Sequence, residues 1–254
     1  MQIDLTDKQV LITGGTRGIG RIISHTLAKS GAQIGAIYRS DTISAQQTLA
    51  ELHSITASEF HFLLQADIGV EKEANRVASE ALEEFGGGLD HLILDAAQGV
   101  FAPLVKTSTA DWHRNFDANV HGAFYLVRAL APHIRAGGTI VFLSSGAGHD
   151  PMEGLSAYGA SKAAVNHLAT VLAQELGPQG IRVNVVSPGH TDKSGNDPNA
   201  HPEAFTESQK TILQTTALRR FGTAQDVANV VLFFVSDLSS FVTGQYVRVN
   251  GGRI

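Results

Sequence analysis

Residues 10–20, Val10-Leu11-Ile12-Thr13-Gly14-Gly15-Thr16-Arg17-Gly18-Ile19-Gly20, decide the fold. The run opens with three apolar residues and a threonine, which suits a buried strand. It then places four glycines between positions 14 and 20. From there a helical pattern runs over residues 19–30 and is stopped by Gly31. Gly14 permits a tight turn, Gly18 lets a pyrophosphate approach the backbone, and Gly20 lets the helix lie close against the strand. The helix start, with Thr16 and Ile19 in the same turn, would offer unpaired N–H groups and the positive end of the helix dipole to phosphate. The spacing is G-x-x-x-G-x-G rather than the commoner G-x-G-x-x-G. The plain alternative is an ordinary glycine turn between strand and helix.

Working outward, the same rhythm repeats. Apolar runs at residues 34–38, 60–65, 91–94, 139–143, 182–186 and 246–249 read as further strands. Helical stretches lie between them, notably residues 111–134 and 157–176. Strict alternation of strand and helix, with apolar strands, predicts a parallel sheet covered by helices on both faces. The polar segment at residues 189–209 breaks the rhythm. A long insertion of that kind in a compact domain reads as a lid, placed here at about residues 190–214.

Composition narrows the function classes. The chain has 254 residues, 43% of them hydrophobic, enough for one large core as a single domain. It has no cysteine, which excludes disulfides, thiolate metal sites and a cysteine nucleophile. A formal net charge of -5 argues against nucleic acid as a partner. The N-terminus lacks an apolar secretory core and no apolar run is long enough to span a bilayer, so the expected address is the cytoplasm, with no membrane partner.

Two positions speak to the cofactor. Nicotinamide dinucleotide sites that prefer NAD carry a carboxylate at the end of the second strand, where it accepts from the ribose 2′-OH. Here that place reads Tyr38-Arg39-Ser40. A guanidinium suits a 2′-phosphate, and Arg17 in the glycine turn adds a second positive charge, so NADP(H) is the expected cofactor. Asp41 follows directly, which leaves NAD(H) use open. Asp67, just after the third strand, can accept from an adenine amino group, with Ile68 beside it; equally, it can cap a helix starting near Val70.

Tyr158 and Lys162 are four apart at the start of a helix, on one face and one turn from each other. A free tyrosine has a pKa of about 10, too high for a base at neutral pH, and a neighbouring ammonium favours the phenolate. Ser145, at the end of the fifth strand, would stand at the carboxyl edge of the sheet where a hydroxyl can polarise a carbonyl. Ser144, one step back, should point the other way. His149, His190 and His201 fall in loops around the same edge but lack ligand spacing, and no metal is expected.

Jointly, residues 13–20, Asp67, Ser145, Tyr158 and Lys162 resemble the classical short-chain dehydrogenase/reductase family, as does the thirteen-residue step from Ser145 to Tyr158. Asn184-Val185-Val186-Ser187-Pro188-Gly189 and Val249-Asn250-Gly251-Gly252 extend the resemblance almost to full length. It implies a Rossmann-type doubly wound sheet and reversible reduction of a ketone or aldehyde, with a small carbonyl or alcohol as substrate. It implies Tyr158 as the proton-transferring group, Ser145 as the carbonyl-orienting hydroxyl, and Lys162 as ribose binder and tuner of Tyr158. It adds Asn119 as anchor of a proton-relay water, and Ala96, Pro188, Gly189 and Thr191 along the cofactor. A homo-oligomer, tetramer or dimer, is implied in the same way.

Three departures stand out. The family's Asn-Asn-Ala-Gly after the fourth strand is Leu94-Asp95-Ala96-Ala97 here, which brings a carboxylate toward the cleft. Lys193 takes the place of a threonine that contacts the nicotinamide carboxamide. Ala136 and Gln179 fall where relatives acting on acyl-carrier-protein thioesters carry basic residues. The alternatives to a general ketone reductase are therefore a 3-oxoacyl-thioester reductase, an enoyl reductase, which the close Tyr158–Lys162 spacing disfavours, and a non-catalytic NADP-binding regulator.

Overall fold

The computed structural model describes residues 3–56, 60–192, 198–200 and 205–253. Its strands are β1 (Gln9–Thr13), β2 (Gln33–Tyr38), β3 (Phe62–Gln65), β4 (Leu89–Leu94), β5 (Ile134–Leu143), β6 (Arg182–Pro188) and β9 (Tyr246–Val249), with a two-residue pair, β7 (Thr191–Asp192) and β8 (Gly222–Thr223). Between them run α1 (Gly18–Lys29), α2 (Thr42–Thr56), α3 (Glu71–Glu84), α4 (Thr109–Phe116), α5 (Gly122–Leu130), α6 (Ser156–Leu176), α7 (Glu207–Gln214) and α8 (Ala224–Val235). The main sheet is parallel throughout, in the order β3-β2-β1-β4-β5-β6-β9. This is the expected Rossmann-type sheet, and its order reverses beside β1, which pairs with both β2 and β4. That reversal opens a crevice at the carboxyl ends of the strands.

Successive strand residues serve opposite faces. Leu11, Leu92, Ile140 and Val183 join one core with α3, α5 and α6. Val10, Ile12, Ile93 and Val141 join the other with α1 and α8. Both faces of every central strand are buried, which is why these strands read as continuous apolar runs.

The stretch expected as one helix over residues 111–134 is divided. After α4 the backbone widens into a π turn at Asp117–His121, α5 follows, and the helix stops at Leu130. Pro132, which has no N–H to give an ongoing helix, sits in the short 3₁₀ turn that follows. β5 therefore starts at Ile134, earlier than the expected residue 139. β3 starts at Phe62 rather than residue 60, because His61 turns its ring inward and its Nδ1 accepts the Ile34 N–H at 3.0 Å. Among the described residues no helix is long and apolar enough to cross a membrane.

Candidate active site

The glycine turn is held rigidly from several sides. The Gly14 N–H donates to the Ile37 carbonyl at 2.8 Å, Ser24 Oγ donates to the Gly15 carbonyl at 2.8 Å, and Thr48 Oγ1 donates to the Thr16 carbonyl at 2.9 Å. Gly14 has φ +70°, a conformation glycine adopts without strain. A Cβ at Gly20 would press into the Gly14 carbonyl and stand 2.7 Å from an Asp95 carboxylate oxygen. Close packing of α1 on the turn thus depends on Gly20, and Asp95 lies beside the first turn of that helix.

A cavity of about 560 Å³ runs along this edge of the sheet. At one end stand Arg17, Arg39, Ser40 and Asp41; Gly14, Thr16, Gly18 and Ile19 line its floor with Asp67, Ile68 and Ala96. At the other end are Ser145, Tyr158, Lys162, Pro188, Gly189 and Thr191. Of the expected site residues, Gly20 and the proton-relay candidate Asn119 are not part of this lining. Asp67 does not cap α3, whose N-cap is Val70 with no side-chain bond; its carboxylate accepts from the Gly69 N–H at 3.0 Å, which shapes the turn instead. Lys193 and His201 lie outside the described residues. Among those described, no cluster of three potential metal ligands occurs.

Tyr158 and Lys162 project from the first turns of α6. Lys162 is buried, and its Nζ donates to the Leu143 carbonyl at the end of β5, at 2.8 Å. The same Nζ is 5.9 Å from the centroid of the Tyr158 ring. The expected lowering of the phenol by this ammonium is not what the surroundings produce. Burial, which strips water from a phenolate, pushes Tyr158 up; a hydrogen bond with the Ser145 side chain pulls it down; the Asp95 carboxylate pushes it up again. Ser144, expected to point the other way, is among the residues that line the cavity with Ser145, and its Oγ is buried without a hydrogen-bond partner.

Asn119 is buried in the π turn. Its Oδ1 accepts from the Gln98 N–H at 2.8 Å, and its Nδ2 donates to the Gln98 carbonyl and to Ser161 Oγ, both at 2.9 Å. Ser161 Oγ in turn donates to the Tyr158 carbonyl at 2.7 Å. The loop after β4 is thereby fastened to the helix that carries Tyr158.

Three side chains here escape a reading of the sequence. Phe101, on the loop after β4, sets its ring edge-on to Tyr158 at 5.6 Å between centroids and is 65% exposed, an apolar wall beside that tyrosine. Tyr246, from β9, donates to Ser187 Oγ at 2.7 Å and reaches the Ser145 carbonyl at 3.4 Å. Gln98 accepts from Arg39 Nη1 at 3.0 Å. No local pattern announces any of the three, since each acquires its neighbour through the fold.

The fold and this edge define a dinucleotide-binding enzyme, and comparison with known proteins narrows the class. A family model described as enoyl-(acyl carrier protein) reductase matches residues 14–253. An uncharacterized oxidoreductase of Methylorubrum extorquens is 34% identical over 249 residues, covering 98% of each chain. The 3-oxoacyl-(acyl-carrier-protein) reductase FabG of Staphylococcus aureus is 32% identical over 247 residues, covering 96% of this chain and 97% of that one. A short-chain dehydrogenase from Burkholderia cenocepacia, solved in complex with NADP, superposes with a TM-score of 0.88 at 32% identity over 98% of both chains. The chain belongs to the classical short-chain dehydrogenase/reductase family, whose members use NAD(P) to act on CH–OH and C=O groups.

Proposed function

We propose that this chain is an NADPH-preferring reductase of ketones or aldehydes that also runs the reverse alcohol oxidation. The observation that carries the reading is one continuous cavity with a guanidinium at one end and Ser145, Tyr158 and Lys162 at the other, joined by a glycine turn. The residues fit a phosphorylated dinucleotide. The space a Gly20 side chain would fill is closed off by the turn itself, leaving backbone N–H groups for a pyrophosphate. Arg39 and Arg17 stand where a 2′-phosphate would lie, with Asp67 and Ile68 toward the adenine and Pro188, Gly189 and Thr191 toward the nicotinamide.

When bound, the nicotinamide supplies the hydride that reaches the carbonyl carbon. Ser145 holds the carbonyl oxygen by a hydrogen bond, and Tyr158 gives that oxygen its phenolic proton. The resulting phenolate is stabilised by the positive charge of Lys162 and regains its proton through the polar groups around Lys162 and Asn119. In the oxidation direction Tyr158 takes the proton from the alcohol. Burial raises the phenol above its ordinary value, so Tyr158 holds its proton until the carbonyl oxygen gains negative charge and takes it. The lid expected at residues 190–214 falls partly outside the described residues, at 193–197 and 201–204; the assembly is a homo-oligomer, which light scattering tests.

The Staphylococcus aureus relative supports 3-oxoacyl thioesters as a second substrate class. Against it, Ala136 and Gln179 leave two expected basic positions unfilled. NADPH consumption on a panel of diketones, aryl ketones, acetoacetyl thioesters and enoyl thioesters separates these readings. Turnover is expected on simple ketones, and activity confined to thioesters would reverse the order. Tyr158→Phe is expected to lower turnover by at least about 10²-fold, the scale of one lost general acid, with NADPH binding unchanged. Full activity in that variant would remove the mechanism.

A further inference from the structure

Arg39 is not a loose surface cation. Its Nη1 donates to Gln98 Oε1 at 3.0 Å, and its backbone carbonyl accepts from Gln65 Nε2 at 3.0 Å. Arg39 follows β2 and Gln98 lies on the loop after β4. These two strands flank β1, so the bond between the side chains spans the carboxyl end of β1 and the glycine turn. Gln98 is itself fixed, because both of its backbone polar groups are taken by the Asn119 amide. The bonds run on from Asn119 to Ser161 and from Ser161 to the Tyr158 carbonyl. One half of the cleft is thus tied by side chains to the other.

The chemistry of the acceptor matters. A carboxylate partner would cancel the guanidinium charge and repel an incoming phosphate, whereas a neutral amide orients the guanidinium and leaves its charge intact. An unrestrained arginine gives up much rotamer freedom when it binds, and orienting it beforehand recovers part of that loss as affinity. We infer that Gln98 is a positioning residue for Arg39: it holds the guanidinium across the cleft and so sets the preference for a 2′-phosphorylated nicotinamide dinucleotide. The assignment rests on the cofactor reading above.

Calorimetric titration with NADP+ and with NAD+ tests it without any substrate. Gln98→Leu keeps the backbone bonds to Asn119 and removes the acceptor; it is expected to weaken NADP+ about fivefold and leave NAD+ unchanged, as loss of one preorganising contact would. Gln98→Glu places a carboxylate against the guanidinium and is expected to weaken NADP+ further than Gln98→Leu, again without loss of NAD+. In an Arg39→Ala background, Gln98→Leu should have no additional effect on NADP+. Equal weakening of both nucleotides, an unchanged ratio, or the same loss in the Arg39→Ala background would each overturn the assignment while leaving the cofactor reading in place. Wild-type protein that binds neither nucleotide would overturn both.

Discussion

Asp95 stands where the resemblance to the family implies an amide. It replaces an amide with a carboxylate beside the first turn of α1 and within electrostatic reach of Tyr158. A negative charge there opposes a second negative charge on the phenol, so the phenolate forms at higher pH than it otherwise would. Asp95→Asn removes that charge while keeping size and hydrogen bonding. The alkaline rise in kcat/KM for alcohol oxidation is expected to move to lower pH in the variant; a profile that stays in place would show that the carboxylate does not reach the reacting proton. The sequence singles out Asp95 as unusual, but its consequence depends on its distance from Tyr158, which only the fold supplies. Ser145, Tyr158 and Lys162 are legible because their spacing carries their relation. Gln98, Phe101 and Tyr246 are not, because each meets its partner only through the fold: Arg39 beyond β2, Tyr158 on α6 and Ser187 on β6.

At the level of elements, strands were easier to read than helix ends. Buried parallel strands declare themselves as apolar runs, whereas the division between α4 and α5 depends on a π turn and a proline that periodicity alone does not separate. Helix α8 shows what a well-marked start looks like. Thr223 accepts from the Asp226 N–H at 3.1 Å, and the Asp226 carboxylate accepts from the Thr223 N–H at 2.8 Å. Paired hydrogen bonds from Arg220 first, and bonds from Thr223 next, outweigh burial and hold the Asp226 carboxyl far below the usual carboxylate range. Because α8 packs against α1, which carries the glycine turn, this cap supports the site from behind. Thr223→Ala is expected to cost about 1 kcal/mol of stability, the usual worth of an N-cap, read as a lower urea midpoint with the m-value unchanged. No shift in midpoint would mean the cap is redundant with the packing of α8.

For the whole molecule, two buried histidines set a lower pH limit. His91 lies in the central strand β4, 3% exposed, with neither ring nitrogen partnered, and burial holds it down to about 4. His61 is lowered to about 4, mainly by burial and then by the nearby His53; its Nδ1 already accepts from Ile34 and is closed to a proton. Their ordinary value is 6.5. Both are neutral in the fold and become charged first in the unfolded chain. Stability is therefore intact above about pH 6.5 and falls toward pH 4, by about 1.4 kcal/mol per pH unit for each histidine. Urea midpoints at pH 7 and pH 5 measure the slope, and His91→Leu should flatten it. An equally steep fall in that variant would assign the effect to other groups.

The position of Tyr246 has a further result. β9 is the margin of the sheet, hydrogen-bonded only to β6 among the described strands, and yet its tyrosine buttresses the backbone of Ser145 and the side chain of Ser187. Outer strands fray before the interior yields. The protein should accordingly go silent while still mostly native: in a denaturant series, loss of turnover should precede loss of far-ultraviolet ellipticity, and coincident curves would show that the margin opens only with the core.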